Sequence, residues 1–186
     1  MPSSYAFDYE TIFQFAPVGM CISDERIIQA ANQALADMFG YRLAELAGMS
    51  FQQLYPTADE FLRTGARIVP IMNKKGSYSD ERIMRRANGE LFWCHVSGRA
   101  LDPARPLGAG VWTFEDVSEK RPVTAELTAR EREIAALLVE GKTSKQIARD
   151  TDLSPRTVEM HRARLMRKFS AANSSELIKK LFGLAA

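Results

Sequence analysis

Apolar residues recur along this chain in two rhythms, and the changes between them mark its parts. Over residues 5–16, Phe7, Ile12, Phe13 and Phe15 fall at helical spacing and predict a short amphipathic helix available for burial, ended by Pro17. VGMCIS and RIIQAA then read as strands about a turn at Asp24-Glu25, and Asn32 opens a helix with Leu35, Met38 and Phe39 on its apolar face, stopped by Gly40. RLAELAG and FQQLYP predict short helical pieces, and residues 57–72 a longer helix whose end Pro70 disturbs. After the NKKGS loop the rhythm becomes alternating. SDERIMRRA and ELFWCHVSGRAL flank Asn88-Gly89, a pair suited to two-residue hairpin turns because both positions tolerate positive φ, and AGVWTFEDV is a last strand. Two strands, several helices and three antiparallel strands predict an α+β domain: a five-stranded antiparallel sheet with its helices on one face.

Beyond a short polar stretch, SEKRPVTAE, the helical period returns. Thr128 with Glu131, and Thr143 with Gln146, have capping-box spacing; Ile134, Leu137 and Leu138 give the first of these helices an inner face until Gly141. Ser154 is a good N-cap and Pro155 a good first helical residue, so LSPRTVEMHRARLMRKF starts a helix with two signals. Val158, Leu165 and Phe169 form its narrow apolar stripe, with His161 or Arg162 at the edge, and leave Arg156, Glu159, Met160, Ala163, Arg164 and Arg167 outward. Asn173 and Glu176 cap SELIKKLFG, where Leu177, Ile178, Leu181 and Phe182 gather on one side. Four helices make a second, all-α domain.

APVGMCISD, NQALADMFGY, LAGMSFQQLYP, the RRANGELFW hairpin and the closing FEDVSEKR arrive in the order of a PAS domain, which residues 6–118 resemble. LTAREREI, EGKTSKQIA and LSPRTVEMHRARLMRKF resemble the helix-turn-helix domain of LuxR/FixJ transcription regulators over nearly all of residues 124–186. The two resemblances divide the chain into a sensor and dimerisation domain (1–118), a linker (119–123) and a DNA-binding domain (124–186). They imply a cytoplasmic bacterial regulator, not an enzyme, that binds promoter double-stranded DNA as a homodimer through two half-sites. They place Glu159, Met160, Ala163 and Arg164 in the groove and part of the dimer contact at Leu177, Ile178 and Leu181. With neither a lactone-binding nor a receiver domain in the sequence, control is expected through the PAS half or from elsewhere.

Charge fits this division. Residues 1–123 carry 13 Lys and Arg against 15 Asp and Glu, net −2, while residues 124–186 carry 12 against 8, net +4. Phosphates can be met by Thr143, Ser144 and Lys145 at one helix start and by Arg156, Thr157 and Lys168. At base edges, Glu159 can accept from cytosine, Met160 and Ala163 can touch a thymine methyl, and Arg164 can donate to guanine.

In the PAS half, alternation puts Phe92, Cys94 and Val96 with Gly98 on one strand face and Trp112 with Phe114 on the next. The resemblance turns these toward the helices. There, with Met20, Ile22, Phe39, Phe51, Leu54, Phe61 and Met84, they either line an apolar ligand pocket or simply fill the core. No cofactor is identified. A haem sensor would need a histidine on the long helix and a flavin photosensor a GxNCRFLQ-like stretch; neither is present, which leaves a diffusible organic ligand or none. Asp116, at the domain's end, is the candidate for coupling the halves. No apolar run reaches the roughly 20 residues of a membrane helix. No secretory signal is evident, and Cys21 and Cys94 are expected as reduced thiols. His95 points away from Cys94 on their strand, so no metal site is expected. A rival reading makes the PAS half a dock for a partner protein that binds no small molecule.

Overall fold

The computed structural model describes residues 8–102, 104–105, 108–118 and 127–181. The N-terminal half begins with α1 (Tyr9–Gln14), capped by Asp8, and continues through β1 (Gly19–Asp24), β2 (Ile27–Ala31), α2 (Gln33–Phe39), α3 (Leu43–Leu46), a 3-10 turn (Phe51–Leu54) and α4 (Ala58–Lys75). Three strands complete it: β3 (Ser77–Arg85), β4 (Leu91–Ala100) and β5 (Ala109–Asp116). The sheet is antiparallel throughout, in the order β2-β1-β5-β4-β3, so the first hairpin sets its first strand, β1, beside the last strand of the sheet in sequence, β5. The expected five-stranded sheet is therefore present, with α2, α3 and α4 over its inner face.

Asn32 fixes the entry to this layer. Its buried amide accepts from the N–H of Met20 (2.8 Å) and Leu35 (3.0 Å), and donates to the carbonyls of Val18 (2.9 Å) and Phe13 (3.2 Å), tying α1, β1 and α2 together. Three expectations need correction here. Ile12 and Phe15 are not buried: they are 55% and 83% exposed on α1, and Phe7 lies outside the described residues. α4 does not stop at about Met72 but runs through Pro70 to Lys75 and ends at Gly76 (φ 68). Pro70 and Ala66, the residue whose carbonyl it leaves without a helical donor, are both exposed, so water can take the missing bond. The β3–β4 hairpin has a three-residue loop, Ala87–Gly89, in which only Gly89 has positive φ; Gly89 N–H bonds to Arg86 O (3.0 Å) and Arg86 N–H to Glu90 O (2.9 Å).

The C-terminal half is α5 (Ala129–Val139), α6 (Ser144–Asp150), α7 (Pro155–Lys168) and α8 (Ser174–Leu181). The capping boxes at Thr128/Glu131 and Thr143/Gln146 are formed, Ser154 caps α7 with Pro155 in its first turn, and Asn173 accepts from Glu176 N–H (2.9 Å). Ile134, Leu137, Ile147, Val158, Leu165, Leu177 and Leu181 make its core. That core also contains Ile83 and Trp93, from the outer face of β3 and β4, so α5 lies against the sheet on the side opposite α4's packing.

Candidate nucleic-acid interface and cavity

α7 buries Val158 and Leu165 fully and Phe169 partly, leaving Arg156, Glu159, Met160, Ala163, Arg164 and Arg167 exposed. The four residues expected at base edges thus share one accessible face, with Met160 46% exposed. They are not equally free. Glu159 accepts from Ser144 Oγ and is paired with Arg162 Nη1 at 3.0 Å. Among the described residues, Arg164 makes one side-chain contact of hydrogen-bond type, 3.8 Å to Met160 Sδ, and no ion pair. Its cation, on an uncrowded face, is therefore disposed toward an acceptor outside the chain.

Among the phosphate candidates, Lys145 and Arg156 are exposed and Thr157 is half-buried. Thr143 is engaged in the α6 capping box, and Ser144 links α6 to Glu159 and Arg162. Lys168 reaches back 2.7 Å to Glu131. Burial pushes the Glu131 carboxyl up, but Lys168 and the Thr128 hydrogen bonds outweigh it and hold it below its ordinary value. Arg162, absent from the expected set, joins three helices by bonding Ser144, Glu159 and Ser174 (2.8 Å). Burial and Arg164 lower the pKa of His161, whose Nδ1 is buried without a hydrogen-bond partner among the described residues.

The expected dimer contact needs correction. Leu177 and Leu181 are 1% and 2% exposed, because they are the inner face of α8 packed on α5 and α7; only Ile178 is half-buried, and Phe182 lies outside the described residues.

Under the helices of the N-terminal half is a cavity of about 20 Å³, lined by Arg26, Phe51, Tyr55, Gly65, Ile68, Arg82, Met84, Val96, Trp112 and Phe114. Phe51, Met84, Val96, Trp112 and Phe114 were expected there; Phe39, Leu54, Phe92 and Cys94 fill the surrounding core instead. Phe61 sits behind Arg26. Met20 and Ile22 were misassigned: β1 turns Gly19, Cys21 and Ser23 inward and those two outward. The reason is steric. A side chain at Gly19 would press on Leu35 of α2 (3.2 Å), and Ser23 Oγ must accept from Trp112 Nε1 (3.0 Å), so this face of β1 carries small residues.

The unexpected wall residues are Gly65 and Ile68 of α4 and three charged or polar side chains, Arg26, Tyr55 and Arg82. Arg82, buried, donates to Asp80 Oδ1 (Nε, 2.7 Å) and to the Tyr55 hydroxyl; Asp80 also accepts from Tyr78 (2.8 Å) and Arg67 (3.0 Å). Burial and Asp80 raise the Tyr78 phenol far above its ordinary value. Arg26 stands on the turn between β1 and β2, where Glu25 (φ 47) and Arg26 (φ 64) are both left-handed, one residue later than expected. Side chains rarely adopt that conformation, so two in succession mark a strained hairpin that aims Arg26 across the sheet edge.

A second feature was not expected at all. One edge of α4 meets α5 in a line of ion pairs: Glu60 takes Arg132 in two bonds of 2.9 Å, Arg63 lies 3.1 Å from Glu133, and Arg67 3.4 Å from Glu140. Glu60 and Arg132 are both buried. Their pairing joins residues 72 apart in sequence, and no local pattern announces it. Asp116 instead pairs with Arg86 and accepts from Ser118 N–H (2.8 Å), closing β5 onto the β3–β4 hairpin; Arg86 also covers the Phe92 ring (4.0 Å).

Residues 17–119 match the PAS domain family, and residues 125–181 match the family described as bacterial regulatory proteins, luxR family. The chain belongs to both families. Its PAS half is 58% identical to the PAS domain, in complex with ethanol, of a LuxR-family transcriptional regulator from Burkholderia thailandensis; the match covers 60% of this chain and 98% of that one, with a TM-score of 0.59. Over both halves it resembles VqmA bound to DPO, at 25% identity and a TM-score of 0.54, covering 95% of this chain and 88% of that one. The sensor protein TdiS of Thauera aromatica is 30% identical over 133 residues, which are 72% of this chain and 24% of TdiS. The chain thus spans about a quarter of that relative's length. Among the described residues of this PAS and luxR-family chain, no helix is long and apolar enough to cross a membrane.

Proposed function

We propose that this protein acts in the cytoplasm and binds promoter DNA as a homodimer through the outer face of α7, under the control of a small organic molecule in the PAS cavity. The division into 1–118, 119–123 and 124–186 belongs to the same reading; residues 119–126 lie outside the described residues. The observation that carries it is the pairing of an open, three-arginine face on α7 (Arg156, Arg164, Arg167) with a separate buried cavity in the other half. On α7, Met160, Ala163 and Arg164 would read bases, and Glu159 would do so after leaving Arg162. Lys145, Arg156 and Thr157 would hold phosphates with Thr143 and Ser144, and Lys168 would join them by leaving Glu131.

The exposed Tyr9, Ile12 and Phe15 of α1 support self-association better than α8 does. The ethanol in complex with the Burkholderia relative supports a compact organic ligand here too, and VqmA, bound to DPO, supports a bound ligand. α4, where a haem sensor would carry its histidine, has none. One observation favours the rival, in which the PAS half docks a protein: the cavity holds about one water. The two separate by an absorption spectrum and native mass spectrometry of the intact protein purified from its own host and from an unrelated one. A bound small molecule in the first preparation is the expected result. A mass-clean dimer from both, with no small molecule raising its melting temperature, contradicts ligand control and leaves partner docking.

A further inference from the structure

Two guanidinium groups reach the PAS cavity, and their charges are handled differently. Arg82 is neutralised by Asp80 and bonded to Tyr55. Arg26 has no carboxylate partner among the described residues; it lies over the Phe61 ring (3.3 Å to the centroid), gives a hydrogen bond to Phe61 O (2.9 Å) and also interacts with the Tyr55 side chain. An arginine has five N–H donors, so most of this fork is unused by the protein.

Its position is as specific as its chemistry. Every other residue of the cavity wall is buried, while Arg26 is half-buried, so its side chain closes the cavity to solvent. It lies across Gly65 of α4, where a β-carbon would collide with the guanidinium. Burial lowers the pKa of Arg26, but its ordinary value is so high that the group stays charged. The remaining wall is apolar and aromatic: Phe51, Ile68, Met84, Trp112 and Phe114. The free volume of about 20 Å³ admits no organic molecule unless a wall residue moves, and Arg26, the half-buried member of that wall, is the residue best placed to move outward.

We propose that the cavity takes a compact apolar carboxylate, whose charged end draws Arg26 off Phe61 and whose body occupies the space between the rings. This rests on the reading of the cavity as a ligand site. The carboxylate supplies what the protein withholds from Arg26, a planar acceptor for two parallel N–H bonds, and the apolar wall rejects ligands charged at both ends.

The test uses the intact protein with benzoate and its neutral counterpart benzamide, read as melting-temperature rise against concentration. Benzoate should half-saturate at a concentration roughly tenfold or more below benzamide, the scale expected of one charge-assisted pair. Arg26→Gln should erase that preference by weakening benzoate and leaving benzamide unchanged. Should that variant fold poorly, Arg26→Met keeps an apolar stem against Phe61 without the charge, and the same loss is expected. Equal binding of the two probes, a benzoate preference that survives both substitutions, or no response to benzoate and butyrate up to tens of millimolar would overturn the proposal. A neutral molecule found by native mass spectrometry would overturn the carboxylate class while leaving ligand control standing; no bound molecule and no probe response would remove both.

Discussion

Arg162 and Arg164 are two residues apart on α7 and have different tasks. Arg162 is bonded to Ser144, Glu159 and Ser174, whereas Arg164, among the described residues, is bonded to no polar side chain and lies 3.8 Å from Met160 Sδ. Arg164→Ala is therefore expected to weaken binding to preferred sites by about 1–3 kcal/mol more than binding to random DNA. An equal loss on both, measured by anisotropy at one salt concentration, would reassign Arg164 to phosphate. Arg162→Ala should instead lower the stability of the helical half. Glu131 gives a pH dependence at this scale. Its folded pKa lies below the unfolded value of about 4.3, so its contribution is present above that pH and is lost as pH falls through the folded value. Urea midpoints measured from pH 6 to 3 should decline less in Glu131→Gln than in the parent; parallel declines would contradict this. Which residues were legible follows from the range of their interactions. Caps at Thr128, Thr143 and Ser154 act within three residues and could be read directly. Arg26 and Arg82 could not, because nothing in a charged residue's neighbours announces that it will line a cavity.

Elements were legible where their period was unambiguous. β4 alternates clearly, Phe92, Cys94 and Val96 inward, but in β1 apolar residues occupy both faces and only α2's close approach at Gly19 decides between them. The seam between α4 and α5 lay beyond any such reading, since Glu60, Arg63 and Arg67 look like the solvated edge of a helix until α5 is placed beside them. Its buried pair should matter when broken from one side. Arg132→Ala strands the Glu60 carboxylate and is expected to cost about 3–5 kcal/mol, while replacing both partners by methionine should recover most of it. Trp93, packed into this seam, is a suitable fluorescence reporter of urea unfolding. An unchanged midpoint in Arg132→Ala would mean that the two halves do not rest against each other in solution.

At the scale of the molecule, the cavity and the DNA face are joined by short steps. Tyr55 and Arg82 line the PAS cavity and also a second space bounded by Glu60, Arg67, Arg132 and Ala136. A ligand that moves the α4 side of the cavity therefore acts on the residues that hold α5. This route supplements the expected one through Asp116, whose bond to Arg86 stiffens the exit from the sheet. Asp116→Asn should alter the response to ligand in a reporter assay and leave DNA binding by the outer face of α7 intact; an unaltered response would assign control to the seam alone. The order of the two halves and the sheet itself were readable because each depends on many weak, ordered signals. How the halves meet was not, because it depends on a few pairs far apart in sequence.

The most direct measurement is selection of bound duplexes from a random-sequence library by the intact protein. The account predicts enrichment of an inverted repeat whose half-sites are centred about one helical turn, roughly 10 base pairs, apart or a multiple of it, with Arg164→Ala relaxing one position in each half. Enrichment of no sequence above the input, or of a single half-site with no symmetric partner, would contradict a dimeric promoter-binding regulator.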